Sequence, residues 1–88
     1  MISRRFRDPV GFTWAVWSVR PDGHPEAESM EYLPPAMRDG WLVFARGMER
    51  RRLAPIPEGW WRCDGQTLWA LCQTAERVRA YAAIPFPV

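Results

Sequence analysis

Apolar and polar residues alternate along two stretches of the chain, and this alternation predicts its main strands. The clearer stretch runs from Phe12 to Arg20 and is followed by a Pro-Asp-Gly sequence that ends it. Because successive side chains of a strand point to opposite faces, the stretch has two sets: Phe12, Trp14, Val16 and Ser18, and Thr13, Ala15, Trp17 and Val19. Both sets contain large apolar residues, so we expect a central strand or a sheet covered on both faces.

The second stretch, from Trp41 to Ala54, predicts a β-hairpin. Gly47 and Met48 separate the runs 41–46 and 49–54, and glycine at the first turn position favours a type II′ turn. This turn sets Arg46 opposite Glu49. Alternation then gives one face that we expect to meet the core and a second, mixed face: Leu42, Phe44, Arg51 and Leu53 on the first, and Trp41, Val43, Ala45, Arg50 and Arg52 on the second.

Shorter signals complete the predicted order of elements. Ile2 to Arg7 suits an exposed edge strand, and the Asp-Pro-Val-Gly sequence at 8–11 suits a turn. The acidic, proline-containing stretch 22–39 should be a loop. A helix is expected from about Thr67 to Ala83, with Asp64 as its N-cap and apolar residues at three- and four-residue spacings. Prolines exclude a regular helix from the tail 84–88.

These elements predict an α+β fold in a single domain that spans residues 1–88. The expected architecture is a small antiparallel β-meander of three or four strands with one C-terminal α-helix packed on one face. Eighty-eight residues can build one small core but leave no room for a separate substrate domain. With 48% hydrophobic and 25% charged residues, the composition is that of an ordinary globular protein.

The chain has a net charge of +2, but basic and acidic residues are segregated along it. Residues 1–20 sum to +3, residues 21–40 to −4 and residues 41–62 to +3. An acidic segment between two basic strand regions could fold over them and neutralise them, which lowers the expectation of nucleic-acid binding. All twelve basic residues are arginine, and a GC-rich bacterial genome explains this bias without selection for ligand binding.

The sequence indicates a cytoplasmic protein without a membrane partner. No apolar run approaches the length of a bilayer span, and the start MISRRFRDPV lacks the apolar segment of a signal peptide.

Catalytic and metal-binding patterns are weak. His24 is the single histidine, no pair of potential metal ligands has a recognised spacing, and no cofactor motif is present. Cys72 lies on the apolar side of the predicted helix, which favours packing. Cys63 precedes the helix N-cap and is the better candidate for a reactive thiol. We therefore expect no catalytic residue, metal or cofactor.

Partner binding is the function class that the sequence favours. Tryptophan and arginine dominate protein interfaces, and one helix can leave one face of a small sheet open. We expect a small regulatory or interaction module that binds a protein partner or its own copy through Trp41, Val43, Arg50, Arg52 and Trp60. A single-stranded nucleic-acid-binding protein is the first alternative, because arginines and aromatic rings are also its ingredients. A small cysteine-dependent enzyme is the second.

Overall fold

The computed structural model describes residues 2–20 and 40–78, which form one antiparallel sheet and one helix. The strands lie in the order of the sequence, and all neighbouring strands are antiparallel. The α+β class is therefore confirmed, with five strands instead of the three or four predicted. The elements are β1 (Ser3–Arg7), β2 (Thr13–Val19), β3 (Trp41–Arg46), β4 (Glu49–Leu53), α1 (Gly65–Thr74) and β5 (Glu76–Val78).

The hairpin of β3 and β4 has the predicted register. Arg46 pairs with Glu49, Phe44 with Arg51, and Leu42 with Leu53. The turn fits type II′, because Gly47 has a φ of 55° and Met48 does not share its positive φ. The turn at Gly47 thus fixes the register of β3 and β4. That register decides which of their side chains point to the helix.

The main core lies between the sheet and α1. Its sheet side chains come from the predicted faces of β2 and β3, and the helix contributes Leu68 and Cys72 from its buried side. The buried members of this cluster are Phe6, Trp14, Val16, Leu42, Phe44, Trp60, Leu68, Cys72 and Ala75. The expectation that the Leu42 and Phe44 face meets the core is confirmed.

The helix begins as predicted but ends much earlier. Asp64 is the N-cap, and its side chain accepts a hydrogen bond from the Thr67 N–H at 2.8 Å. The helix ends at Thr74, and Ala75 has an extended backbone with a ψ of 145°. Residues 76–78, predicted to be helical, form β5 and pair with β4. The helix prediction was wrong over residues 75–78 because pairing with the open edge of β4 outweighs a modest helix propensity.

A buried carboxylate organises the predicted turn between β1 and β2. Asp8 Oδ1 accepts hydrogen bonds from the backbone N–H groups of Val10 and Phe12, both at 3.0 Å, and Oδ2 accepts from Trp14 Nε1 at 3.0 Å. Burial acts to raise the pKa of Asp8, but these hydrogen bonds outweigh it and leave the pKa below its usual value. The turn is thereby fixed to the central strand.

Several predictions concern residues outside the described ranges. They are the 22–39 loop with His24, the last part of the predicted helix, and the proline-containing tail 84–88. Within residues 2–20 and 40–78, no helix combines the length and the apolar character that crossing a bilayer requires.

Candidate interaction surface

The side of the sheet opposite α1 carries arginines around an apolar centre. The register aligns Arg5, Ala15, Ala45 and Arg50 in one row across four strands, and Ser3, Trp17, Val43 and Arg52 in the next. Because alternate residues share a face, Arg7 lies on this side as well. We call this side, with Arg5, Arg7, Arg50 and Arg52 at its margins, the arginine face.

The apolar centre of the arginine face is well packed. Trp17, Val19, Trp41 and Val43 form a second core cluster and are 4%, 5%, 7% and 0% exposed. Ala15 and Ala45 pack against this cluster but remain partly exposed. The two alanines are therefore more accessible than the four buried side chains of this cluster.

The predicted binding residues fall into two groups. Trp41, Val43, Arg50 and Arg52 lie on the arginine face, as the alternation of the hairpin predicted. Trp60 lies in the cluster on the helix side and is 5% exposed. The sheet therefore brings four of the five together and separates Trp60 from them.

The two arginines of β4 on this face differ in their contacts. Arg50 Nη1 donates hydrogen bonds to the carbonyl oxygens of Gly47 at 2.7 Å and Glu49 at 3.0 Å. Arg52 Nη2 lies 4.0 Å from a carboxylate oxygen of Glu76, whose side chain is 71% exposed. A loose, exposed pair of this kind contributes little to stability, so Arg52 can exchange Glu76 for another carboxylate at small cost.

Charge is segregated between the two faces of the sheet. The carboxylates of Asp8 and Glu49 lie on the helix side, where Arg46 contacts both of them. Glu49 also pairs with Arg51 at 2.7 Å and with Arg77 at 3.4 Å. Among the described strand residues, Glu76 is the one carboxylate on the arginine face, at its edge. The described strand residues of this face therefore carry more arginines than carboxylates.

Sequence reasoning placed Ala45 on the mixed face of the hairpin but missed Arg5, Arg7 and Ala15 as members of this surface. The signal was present, because alternation places these arginines on one face of β1 and the alanines on one face of their strands. The sequence did not indicate the register in which β1 pairs with β2, because a turn of several residues allows more than one register.

Among residues 2–20 and 40–78, no side chains form a recognisable catalytic arrangement with either cysteine. Cys72 is fully buried, and desolvation raises the pKa of its thiol to about 11. Cys63 is partly exposed; its thiol donates to the Trp60 carbonyl at 3.3 Å, and Arg4 donates a hydrogen bond to the Cys63 carbonyl. In the described part of the chain, no three His, Cys, Asp or Glu side chains are grouped to hold a metal ion.

A concavity of about 410 Å³ lies beside the buried Trp60, and neither cysteine lines it. Arg20 and residues 55–61 line it, and they include two prolines and the half-exposed Trp61. The adjacent tryptophans are thus divided, with Trp60 in the core and Trp61 on the surface. Arg62 covers Trp61, with its guanidinium carbon 5.3 Å from the ring centroid.

The chain matches no protein-family model, no curated protein and no solved structure. Its function must therefore be argued from the geometry and charge of its own residues.

Proposed function

We propose that this chain is a small, non-enzymatic protein–protein interaction module that binds an acidic protein surface through the arginine face. The observation that carries the proposal is the row Arg5, Ala15, Ala45 and Arg50, in which two partly exposed alanines lie between two arginines. Small side chains let a partner backbone approach, while the exposed guanidinium group of Arg5 can bind a carboxylate with paired hydrogen bonds and Arg50 adds positive charge at the other end of the row.

The burial of the tryptophans favours a protein over single-stranded nucleic acid. Recognition of single strands depends on stacking bases against exposed aromatic rings. On the arginine face, Trp17 and Trp41 are 4% and 7% exposed, so these rings offer little surface to a base. Arginines that lack accessible aromatic rings beside them are suited to a partner that is recognised by its charge and shape.

The arrangement of charge favours a different protein over a second copy of the chain. A symmetric dimer formed by two arginine faces would bring the arginines at the margins of one face close to those of the other. Such contacts cost energy unless carboxylates intervene. Self-association through this face is therefore the less favoured form of the proposal.

The two thiols fit a cytoplasmic location. Cys63 and Cys72 are not joined in a disulfide, and free thiols persist in a reducing compartment. The cytoplasm of a bacterial cell is such a compartment, and it agrees with the location expected from the sequence.

Charge reversal tests the proposal. Arg50→Glu combined with Arg52→Glu should weaken binding of a fluorescent polyglutamate peptide at least about tenfold, since close charge pairs at interfaces contribute more than about 1.4 kcal/mol. Binding should also fall with added salt. Arg5→Glu should act in the same direction, and its exposed position on an edge strand makes unfolding an unsuitable explanation.

Arg62→Glu provides a matched control, because it makes the same charge change in an exposed residue beside Trp61. Native-host affinity capture with wild type and these variants then identifies the partner. The proposal fails if Arg62→Glu and Arg5→Glu weaken peptide binding equally. It also fails if wild type captures an oligonucleotide instead of a protein and the arginine variants do not retain that oligonucleotide.

A further inference from the structure

Three large apolar side chains project from one end of the sheet. Val10, Phe12 and Met48 are 79%, 52% and 84% exposed. They belong to the turn between β1 and β2 and the turn between β3 and β4. The antiparallel pairing of β2 with β3 brings these two turns to the same end of the sheet. We call these three side chains the apolar tip.

The backbone N–H groups of the first turn are bonded within the turn. Besides the bonds from Val10 and Phe12 to the Asp8 carboxylate, the Asp8 carbonyl accepts the Gly11 N–H at 3.0 Å. The Phe12 carbonyl accepts the Asp8 N–H at 2.9 Å, and Pro9 has no N–H to satisfy. Such a turn can enter an apolar phase without leaving these groups unpaired.

The second turn also has a backbone carbonyl that is bonded within the protein. Arg50 Nη1 donates to the Gly47 carbonyl at 2.7 Å, which satisfies an oxygen beside the highly exposed Met48. Each turn of the apolar tip therefore combines exposed hydrocarbon with some backbone groups that are bonded internally.

Cationic side chains lie directly behind the apolar tip. Arg7 is exposed at the end of β1. Arg46 ends β3 on the other face, with its guanidinium carbon 4.4 Å from the centroid of the Phe12 ring, and it also pairs with Glu49 at 3.5 Å. Arginines placed behind apolar side chains can reach phosphates while the apolar groups enter the layer below.

We propose that the apolar tip docks on the anionic surface of a lipid bilayer. Val10, Phe12 and Met48 would enter the boundary between headgroups and acyl chains, and Arg7 and Arg46 would lie at the level of the phosphates. A bilayer accepts separately projecting side chains without a complementary pocket, which a protein partner would have to supply. The contact is peripheral and needs no spanning segment, which is the kind of membrane contact that the sequence analysis argued against.

Vesicle co-sedimentation tests this inference. Wild type should sediment with vesicles of phosphatidylcholine mixed with phosphatidylglycerol, and much less with phosphatidylcholine alone. Val10→Ser combined with Met48→Ser should weaken partitioning at least about tenfold, because each substitution removes an apolar group that the bilayer would bury. Met48→Ser alone should act in the same direction, and its 84% exposure makes a folding defect implausible.

Ile2→Ser is the matched control. Ile2 is 55% exposed but precedes β1, at the opposite end of that strand from Arg7, so its replacement should leave vesicle binding unchanged. The inference is overturned if wild type does not bind the anionic vesicles, or if the double variant binds them as well as wild type does. It is also overturned if the double variant dissociates an oligomer in sedimentation velocity while neither protein binds vesicles. None of these variants alters the arginines that test the acidic protein partner, so the two proposals can fail separately.

Discussion

Arg51 Nη1 donates a hydrogen bond to the carbonyl oxygen of Cys72 at 3.1 Å and thereby joins the fourth strand to the last turn of the helix. The same side chain pairs with Glu49 at 2.7 Å, and its guanidinium carbon lies 4.9 Å from the centroid of Trp14. A cation is favourable at a helix C-terminus, where carbonyl groups lack helical partners. The middle arginine of the Arg50–Arg52 run is therefore structural, while its two neighbours lie on the opposite face.

Arg51→Met should destabilise the fold by about 2 kcal/mol, the typical range for losing hydrogen bonds that involve a charged group. Urea unfolding followed by tryptophan fluorescence measures the change. Arg77→Met is the matched control: Arg77 contacts the same carboxylate at 3.4 Å but is 77% exposed, so the loss should be about 0.5 kcal/mol. Equal losses in both variants would contradict the structural role of Arg51.

Stability should fall at acid pH in a way that depends on Glu49. The hydrogen bond from Arg51 is the largest cause that lowers the pKa of Glu49 from its ordinary value of 4.5. Because the folded-state pKa lies below the unfolded one, the stabilisation is fully present above pH 4.5 and is lost as the pH falls through the folded-state pKa. Glu49→Gln should therefore be less stable at neutral pH and should lose less stability on acidification.

Urea unfolding midpoints measured at several pH values would show this difference. Glu58→Gln, in an exposed loop residue, serves as the control and should keep the wild-type profile. A Glu49→Gln profile parallel to that of wild type would count against the predicted linkage.

The two thiols should differ sharply in alkylation. Cys72 is fully buried and its thiol, with a pKa of about 11, stays protonated at neutral pH, whereas Cys63 is partly exposed. Iodoacetamide should label Cys63 in the native protein and should label Cys72 only after unfolding, as mass spectrometry of the digested protein can show. Labelling of Cys72 at the same rate as Cys63 under native conditions would refute the packing of α1 on the sheet.

Gly40→Ala should be far more harmful than Gly11→Ala, although both glycines have a positive φ near 100°. A Cβ at position 40 would lie 2.5 Å from the Val19 carbonyl oxygen, whereas a Cβ at position 11 meets no atom within 4 Å. Both variants carry the backbone strain of about 1–3 kcal/mol, and the clash should add at least about 2 kcal/mol at Gly40. Thermal unfolding compares the two directly, and similar melting temperatures would argue against the close approach of Gly40 to β2.

The sequence by itself determined the features that are specified by residues close together in the chain. A two-residue turn with glycine first fixed the register of β3 and β4, and period-two alternation divided β2 between two apolar faces. Asp64 fixed where the helix begins because an N-cap acts on the next few residues alone. These features follow from nearest neighbours along the chain, so the sequence was sufficient to predict them.

Only the tertiary structure decided what depends on distant pairing. The helix ends at Thr74 because residues 76–78 pair with β4, a partner that no local pattern identifies. The position of Trp60 in the helix-side core, and the row that joins Arg5 to Arg50 across two alanines, likewise depend on how separate strands align. Differences in local secondary-structure propensity are smaller than the free energies of side-chain packing and strand pairing. Tertiary contacts therefore determine these positions.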